Sequence, residues 1–332
     1  MNTSAPFLSV VIPTYNRKDS LRLTLDGLAR QTYPADSFEA VVVSDGSTDG
    51  TDALLTEYAR TSPYCLRPFT QANAGPARAR NRGIAEARGT VVVFLDDDVE
   101  PDPEFLARHA AHHNGDGQTV VIAPMLPDPA LRWREPVWIA WEHAMLEKQY
   151  MAWRTGEWAG CGPHHFYSGN ASVRREHLRA VGGFDEHFPR QEDVEMAVRL
   201  ERDRSVRFVY EPEARGIHRP LRRWPSWLAV PEAYGQLDVV RARRGDTPWE
   251  TVRHGYHARN RLTRLLARLV LAAPLLSAPV RGLLRLASEL AYRLHRSGPA
   301  FAALSAVYNL RYLEAARREI GSAAEMRRLV LE

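Results

Sequence analysis

Cysteine is scarce in this sequence, and long hydrophobic runs are missing. The 332 residues include two cysteines, Cys65 and Cys161, which predicts neither a disulfide framework nor a cysteine-based metal site. The longest apolar stretch, residues 269–280, is interrupted by two prolines, whereas a membrane span needs roughly 18 to 20 apolar residues. No basic segment followed by an apolar one opens the chain, so a secretory signal is not expected. These absences favour a cytoplasmic protein.

Repeats and low-complexity tracts are also missing, and the net charge of +4 is small, so no nucleic-acid partner is expected. The charge is nevertheless unevenly placed. Residues 251–332 contain 14 Arg and 5 Glu, a net of +9, and the other 30 basic and 35 acidic residues give −5. The acidic part is therefore expected to hold a metal site and catalysis, and the basic tail to face an anionic surface or water.

The first hundred residues alternate between buried-strand and helix patterns. This alternation is typical of an α/β fold with a mostly parallel sheet and helices on its faces. Ligands in such folds bind beyond the carboxyl ends of the strands. Strands are predicted at 8–13, 40–43 and 91–95, and helices at 19–31, 47–60 and 74–88.

The remaining sequence divides into an aromatic segment and a helical tail. Residues 123–169 look irregular and contain five tryptophans, which suggests an insertion or lid whose rings stack on a ligand or pack in a core. A helix is predicted at 193–202 and a strand at 206–210. After residue 251 the chain is predicted to be helical, with breaks at Pro274, Pro279 and Gly298–Pro299. The predicted domains are therefore 1–250, with halves 1–122 and 123–250, and a helical extension at 251–332.

Three neighbouring carboxylates, Asp96, Asp97 and Asp98, follow a wholly apolar predicted strand. Such carboxylates repel one another unless a cation or a hydrogen-bond donor compensates them. Hard oxygen ligands suit Mg²⁺ or Mn²⁺, which accept further ligands from water and a diphosphate. A solvated acidic turn is the alternative interpretation of this cluster.

Four motifs in order resemble those of the family 2 glycosyltransferases. The sequence LSVVIPTYNR resembles the opening strand and nucleotide loop of the family, and VVVSDGSTDGT its second nucleotide motif. The sequences NAGPARARNRG and FLDDD resemble the helix entry and the aspartate cluster that follow. The motifs lie at residues 8–17, 41–51, 73–83 and 94–98.

The resemblance implies the GT-A fold and a set of residues for the nucleotide-sugar donor. Tyr15 would flank the base, and Asp45 would accept its imino N–H, which favours a UDP- or TDP-sugar. The family usually has a second acidic residue before that position, where this sequence has Ser44. The complete set of predicted donor-binding residues is Pro13, Tyr15, Asn16, Arg17, Asp45, Arg80, Asp96 and Asp97.

The resemblance also implies the metal ligands and the base. Asp98, Asp96 and His218 would hold Mg²⁺ or Mn²⁺. The sequence QED at 191–193 looks like the Glu-Asp motif of the family, which implies Asp193 as general base with Glu192 as second choice. Apolar residues three and four positions apart place Asp193 in the first turn of a helix, whose dipole favours the ionised carboxylate.

These roles imply an inverting glycosyltransferase that uses a divalent metal and an Asp base. A nucleotidyltransferase and a non-catalytic sugar-nucleotide binding protein are the alternative interpretations; the loop after the first strand contains none of the glycines that a nucleotidyltransferase needs. The acceptor is expected to be a glycan, a lipid-linked sugar or a small molecule.

The leucines and arginines of the tail follow helical spacings that would give one apolar and one cationic face. Such helices predict peripheral attachment to an anionic inner membrane face. The alternative is that the leucines pack on the catalytic domain or form a homo-oligomer.

Overall fold

A computed structural model describes residues 6–115, 117–188, 190–245 and 248–331. The chain forms two compact units. The first takes in the residues up to Ala130 together with His143–Pro220, and the second takes in Leu131–Glu142 and the chain from Leu221 onward. The predicted domain boundary at residue 250 therefore falls inside the second unit.

The first unit contains a seven-stranded sheet and a three-stranded sheet. The large sheet has the strand order β3-β2-β1-β4-β8-β6-β9, in which β8 is antiparallel to both of its neighbours and all other pairs are parallel. The small sheet has the order β5-β10-β7. The strands are β1 Leu8–Thr14, β2 Phe38–Asp45, β3 Cys65–Gln71, β4 Val91–Leu95, β5 Val99–Pro101, β6 Thr119–Ile122, β7 Met125–Pro127, β8 Asn170–Arg174, β9 Arg207–Tyr210 and β10 Gly216–His218.

Helices cover both faces of the large sheet. Strands β1, β2 and β4 are buried at every residue, as β-branched runs inside a parallel sheet should be. Alternate residues of β1 enter two different apolar clusters, one on each face. The predicted α/β class with a mostly parallel sheet is therefore confirmed. The helices are α1 Lys18–Ala29, α2 Thr51–Thr61, α3 Pro76–Glu86, α4 Phe105–Ala111, α5 Val137–Arg154, α6 Arg175–Ala180 and α7 Glu192–Arg204.

The aromatic segment is more regular than its sequence suggests. It contains α5, an 18-residue helix that begins in the second unit and continues into the first. Three of its tryptophans and the smaller apolar residues lie on several sides of the helix, so the sequence lacks a one-sided helical pattern. The expectation of an irregular insertion over 123–169 is therefore wrong for this part.

The second unit is helical, as predicted for the C-terminal region. Helix α12 packs against α8, α10 and α11. Gly235 permits the close approach of α8 to α12, because a Cβ at this position would clash with the carbonyl oxygen of Tyr312 in α12. The helices of this unit are α8 Trp224–Arg244, α9 Trp249–His257, α10 Arg261–Ala272, α11 Ser277–Arg293, α12 Ser297–Ile320 and α13 Ala323–Met326.

Of the predicted helix breaks, the one at Pro279 is wrong, and the one at Gly298–Pro299 lies just before those residues, at 294–296. Pro274 starts a short 3₁₀ turn between α10 and α11, so the chain does break there. Pro279 and Gly298–Pro299 instead lie in the first turns of α11 and α12, where a missing backbone N–H removes no helical hydrogen bond. Among the described residues, none of the helices combines the length and the apolar character that crossing a bilayer requires.

Candidate active site

The loops after β1 and β2 are tied together by Asn16. Its backbone N–H donates to Ser47 Oγ at 3.0 Å, and its side-chain oxygen accepts from the Thr48 N–H at 2.7 Å. Asn16 has a left-handed backbone with φ 53°, a conformation that Asn adopts more readily than most residues. Asn16 therefore connects two of the predicted donor-binding loops. The neighbouring Tyr15 is half-exposed, at 49%.

Asp45 is buried at the end of β2 and organises the turn before α3. Its carboxylate accepts from Gln71 Nε2 at 2.8 Å and from the backbone N–H groups of Ala74 and Gly75 at 2.9 and 2.8 Å. A cavity of about 500 Å³ adjoins this turn, and Gln71, Ala74 and Arg78 are among the residues that line it. Three hydrogen-bond donors of the protein already engage the carboxylate oxygens of Asp45. A contact between Asp45 and the base of a nucleotide stays a prediction.

The aspartate cluster is a three-residue link between the two sheets of the first unit. Strand β4 ends at Leu95, and β5 of the small sheet begins at Val99. Asp97 and Asp98 are buried, and the Arg17 guanidinium contacts Asp98 and lies 3.6 Å from an Asp97 oxygen. Burial raises the pKa of Asp97 to about 7, against the lowering effect of Arg17. Arg17 thus supplies the positive charge that this cluster requires.

Strand pairing brings His218 to Asp98. His218 in β10 lies opposite Val99 in β5, and the Arg219 N–H donates to the Asp98 carbonyl at 2.8 Å. His218 Nε2 therefore lies 3.5 Å from Asp98 Oδ1, and its Nδ1 lies 3.3 Å from His143 Nε2. The predicted metal ligands Asp98 and His218 are adjacent in the structure.

These two residues fit a Mg²⁺ or Mn²⁺ ion. One buried carboxylate and one imidazole nitrogen at this separation can bind the same cation, and such ions usually take one or two protein ligands besides a diphosphate. No group of three His, Cys, Asp or Glu suited to a metal occurs among the described residues. The predicted third ligand, Asp96, instead contacts an arginine.

That arginine, Arg80, is buried in α3 and joins the aspartate cluster to α7. Its Nη2 donates to Asp96 Oδ1 at 2.9 Å, and its Nη1 donates to Glu192 Oε1 at 3.3 Å. The guanidinium also lies 5.7 Å from the centroid of the Phe184 ring. Arg80 was predicted as a donor-binding residue, and the structure shows it engaged with two carboxylates.

Asp193 lies in the first turn of α7 beside Glu192, as predicted. Its Oδ1 accepts from the Val194 N–H at 2.8 Å. Burial and the Glu192 charge raise the pKa of Asp193 to about 6, while Arg80 and the backbone N–H groups of Val194 and Ser168 act to lower it. The helix dipole therefore does not dominate here, but the carboxylate is still mainly ionised at neutral pH.

Two residues near the site were not identified from the sequence. His143 lies in α5, 75 positions before its partner His218, and no local pattern distinguishes it. Gly169 allows Asp96 to approach closely, because a Cβ there would lie 2.7 Å from Asp96 Oδ2. The sequence around Gly169, SGNAS at residues 168–172, does not show why glycine is required.

Most tryptophans are used in packing rather than in the site. In the second unit they form an apolar cluster with Tyr292, Val307 and Tyr308. In the first unit Trp153 contacts Trp158 and His165, and Trp158 remains 40% exposed. The tryptophans of the second-unit cluster are Trp133, Trp138, Trp141, Trp224 and Trp227.

Comparison with known proteins finds similar glycosyltransferases. The chain is 32% identical over 121 residues to the glycosyltransferase AglE of Haloferax volcanii, covering 36% of this chain and 40% of AglE. It is 31% identical over 252 residues to the validoxylamine A glucosyltransferase of Streptomyces hygroscopicus subsp. jinggangensis, covering 66% of this chain and 56% of that enzyme. The chain thus spans about half the length of these curated relatives.

Solved structures share the fold. The mannosyltransferase PcManGT from Pyrobaculum calidifontis, in complex with GDP-Man and Mn²⁺, matches with a TM-score of 0.58 and 25% identity, over 92% of this chain and 88% of its own. Residues 1–349 of Staphylococcus aureus TarS match with a TM-score of 0.50 and 18% identity, over 95% and 92%. The sequence model described as "Glycosyl transferase family 2" matches residues 9–182. The chain therefore belongs to glycosyltransferase family 2.

Proposed function

We propose that this chain transfers a sugar from a nucleoside diphosphate donor to an acceptor hydroxyl with inversion at the anomeric carbon. Family membership supports sugar transfer, and the similarity to a mannosyltransferase bound to GDP-Man supports a nucleotide-sugar donor. The observation that carries the proposal is the bridge from Asp96 through Arg80 to Glu192. This bridge links a predicted donor-binding residue to the immediate neighbour of the predicted base, Asp193.

Asp193 acts as the general base in this proposal. Its carboxylate takes the proton from the acceptor hydroxyl while that oxygen attacks the anomeric carbon, and the bond from this carbon to the diphosphate oxygen breaks. A single displacement inverts the configuration and needs no covalent nucleophile. A pKa of about 6 suits this role, because the group is ionised at neutral pH yet more basic than an ordinary aspartate.

Asp98 and His218 are the residues that would hold a divalent cation, with Asp96 as a predicted third ligand. When bound, Mg²⁺ or Mn²⁺ would neutralise the charge that develops on the leaving diphosphate. His143 acts as a positioning residue in this arrangement, since its Nε2 lies 3.3 Å from His218 Nδ1 and holds the opposite nitrogen toward Asp98.

The proposed binding site for the nucleotide-sugar donor is formed by Tyr15, Asp45 and the cavity beside the turn between β3 and α3. Tyr15 is exposed enough to contact a base, and Asp45 lies at the edge of that cavity through its contacts with Gln71 and Ala74. A UDP- or TDP-sugar is the proposed donor on the strength of the pyrimidine contact predicted for Asp45. The proposed acceptors remain a glycan, a lipid-linked sugar or a small molecule.

Donor turnover with and without Mn²⁺ tests the proposal. Mass spectrometry would be used to screen UDP-, TDP- and GDP-sugars for hydrolysis or transfer. We expect Asp98→Ala to abolish turnover with an unchanged circular dichroism spectrum, because the diphosphate would lose its cation, and the exposed Asp19→Ala to keep full activity.

The same assay separates the alternatives. Full activity in excess EDTA, or in Asp98→Ala, would show that the metal assignment is wrong. Binding of a nucleotide sugar without any turnover would indicate a binding protein. Pyrophosphate release from a nucleoside triphosphate and a sugar phosphate would indicate a nucleotidyltransferase.

A further inference from the structure

Exposed leucines are concentrated in one stretch of the second unit. The described residues include sixteen exposed large apolar side chains, and nine of them are leucines between residues 262 and 294. Such clustering differs from the scattered apolar residues of an ordinary surface. We call the following nine residues the leucine face: Leu262, Leu265, Leu269, Leu275, Leu276, Leu283, Leu286, Leu290 and Leu294, which are 42% to 92% exposed.

The leucine face is held outward by the packing of its helices. On α10 the exposed leucines lie three and seven positions after Leu262. On α11 they lie three and seven positions after Leu283, and Leu294 continues this spacing directly after the helix ends, so each set forms a single stripe. Other positions of the same helices are buried, namely Ala267 and Val270 in α10 and Tyr292 in α11. The apolar side chains inside the unit therefore fix which leucines remain outside.

The segment that carries the leucine face is rich in arginine and nearly free of acidic residues. Residues 259–296 contain eight Arg and one acidic residue, Glu289. Two of these arginines are paired with carboxylates, Arg281 with Glu314 and Arg285 with Glu289. Within the described part of the chain, Arg261 and Arg293 are exposed and form no ion pair. The surface therefore carries an excess of fixed positive charge next to exposed leucines.

A cavity lined by arginines lies next to the leucine face. It has a volume of about 440 Å³ and is lined by Arg268, Arg317 and Arg327 together with apolar residues, and none of its lining residues is acidic. Arg268 immediately precedes Leu269 of the leucine face. Guanidinium groups in such a concave setting suit a phosphate oxygen, with which they form charge-assisted hydrogen bonds.

We propose that the leucine face and its arginines bind the surface of an anionic lipid bilayer. Leucines on one side of a helix enter the boundary of the acyl chains, and arginines beside them interact with anionic headgroups. The arginine-lined cavity would accept a headgroup phosphate. Attachment is peripheral, because the apolar stripes run along helices and no described helix is suited to cross a bilayer.

A second copy of the chain fits this surface less well than a bilayer does. A symmetric dimer through the leucine face would place the same arginine-rich surface on both sides of the contact. Like charges would then face each other, with Glu289 as the one acidic residue of the segment to offset them. An anionic bilayer provides both the apolar layer and the complementary charge.

Membrane binding also bears on the acceptor, and this part rests on the proposed function. An enzyme that is held at a bilayer surface meets lipid-linked acceptors at a high local concentration. Among the acceptor classes considered above, attachment therefore favours a lipid-linked sugar.

Sedimentation of the full chain with vesicles tests the membrane inference without any substrate. Vesicles of phosphatidylcholine would be compared with vesicles of equal parts phosphatidylcholine and phosphatidylglycerol, at low and high salt. We expect binding to the anionic vesicles only, weakened by salt because the attraction is partly electrostatic. Failure of sugar transfer would leave this result unchanged, so the two proposals can fail separately.

Matched variants identify the surface. Replacing Leu262, Leu265 and Leu269 by Gln should weaken vesicle binding by about tenfold or more, because each buried leucine favours the bilayer. Arg261→Gln with Arg293→Gln should weaken it by roughly tenfold at low salt. The control is Leu23→Gln with Leu221→Gln, which changes exposed leucines outside the leucine face and should leave binding unchanged.

Three results would overturn the membrane inference. One is the absence of salt-sensitive binding to anionic vesicles. Another is equal loss of binding in the control and in the leucine variant. The third is a change from dimer to monomer in the leucine variant, measured by light scattering, without any vesicle binding by the original chain; the face would then be a self-association surface.

Discussion

The two compact units place charged and apolar side chains in opposite ways. In the second unit the buried polar residues are neutral, for example Ser288 and Asn309, and leucines lie outside. In the first unit the core strands are apolar, but charged groups and histidines lie inside. Among the described residues, all the buried acids, arginines and histidines belong to the first unit: Glu39, Asp45, Arg80, Asp97, Asp98, His109, His113, His143 and His177.

The buried groups of the first unit are stable because they compensate one another. Arg80 lies between carboxylates, and Glu39 accepts from Ser9 Oγ at 2.7 Å and from Arg67 Nη1 at 3.1 Å. A buried charge without such a partner would be strongly destabilising. The comparison indicates that the interior of the first unit depends on specific charged partners, whereas the fully buried polar residues of the second unit are neutral.

Asp193→Asn gives the largest expected effect in the first unit. We expect kcat to fall by about 10²- to 10⁴-fold, because the amide keeps the shape of the side chain but cannot accept a proton. Calorimetry should show unchanged donor binding. In the unchanged chain, kcat/KM should decrease as the pH falls below about 6, since the Asp193 pKa is raised to about 6 and the protonated acid is not a base.

The matched control is the exposed Glu201→Gln on the same helix, which should leave kcat unchanged. A rate for Asp193→Asn within about tenfold of the original would assign the base elsewhere, with Glu192 as the next residue to test.

Arg80→Met tests whether the interior of the first unit depends on charge compensation. Loss of the guanidinium leaves Asp96 and Glu192 without their shared partner, and we expect the free energy of unfolding to fall by about 3 to 5 kcal/mol. Urea denaturation followed by circular dichroism measures this change.

The control for Arg80 lies two residues earlier in the same helix. Arg78 has a side chain that is 62% exposed and lies 3.9 Å from Glu186, so Arg78→Met should change stability by less than about 0.5 kcal/mol. Equal effects of the two substitutions would contradict the role assigned to the buried arginine.

His143→Phe tests the positioning of the metal ligand. We expect Mn²⁺ affinity to fall by about 10- to 100-fold, because His218 would lose the partner that orients its ring. Electron paramagnetic resonance of free Mn²⁺ gives the affinity directly and does not depend on turnover. The exposed His187→Phe is the control, and an unchanged affinity in His143→Phe would show that His218 needs no such partner.

Leu286→Gln gives the smallest expected effect. It tests whether the exposed leucines of the second unit contribute to its stability. This leucine is 63% exposed, so its replacement should change the free energy of unfolding by less than about 0.5 kcal/mol. Leu304→Ala in the core of the same unit should cost about 2 to 5 kcal/mol. A cost at Leu286 similar to that at Leu304 would mean that another part of the protein covers the leucine face.

Strands with continuous apolar runs were predictable from the sequence, and the edge strand β3 was not. The run from Val91 to Leu95 was predicted with the bounds that the structure has. Strand β3, from Cys65 to Gln71, contains Arg67, Pro68 and Thr70 and is only partly buried. An edge strand pairs on one side and needs little apolar character, so its sequence lacks the signal that marks central strands.

The loop positions of the site were predictable for a different reason. Parallel strands bring their carboxyl ends together, so the aspartate cluster and Asn16 could be placed at one edge of the sheet. The partners of these residues could not be predicted. Arg80 meets Glu192 across 112 positions, and Arg17 meets Asp98 across 81. The tertiary arrangement that brings Arg80 of α3 to the start of α7, and the pairing of β1 with β4, determine which charges meet.

The short connection at Asp96–Asp98 limits how this site can change during evolution. Leu95 and Val99 are fixed in different sheets, and Val99 is paired with His218. An inserted residue would either shift that pairing by one position, which turns every following side chain to the other face, or displace the carboxylates from Arg80 and His218. This connection can therefore change by substitution, whereas insertions and deletions should be confined to loops elsewhere in the chain.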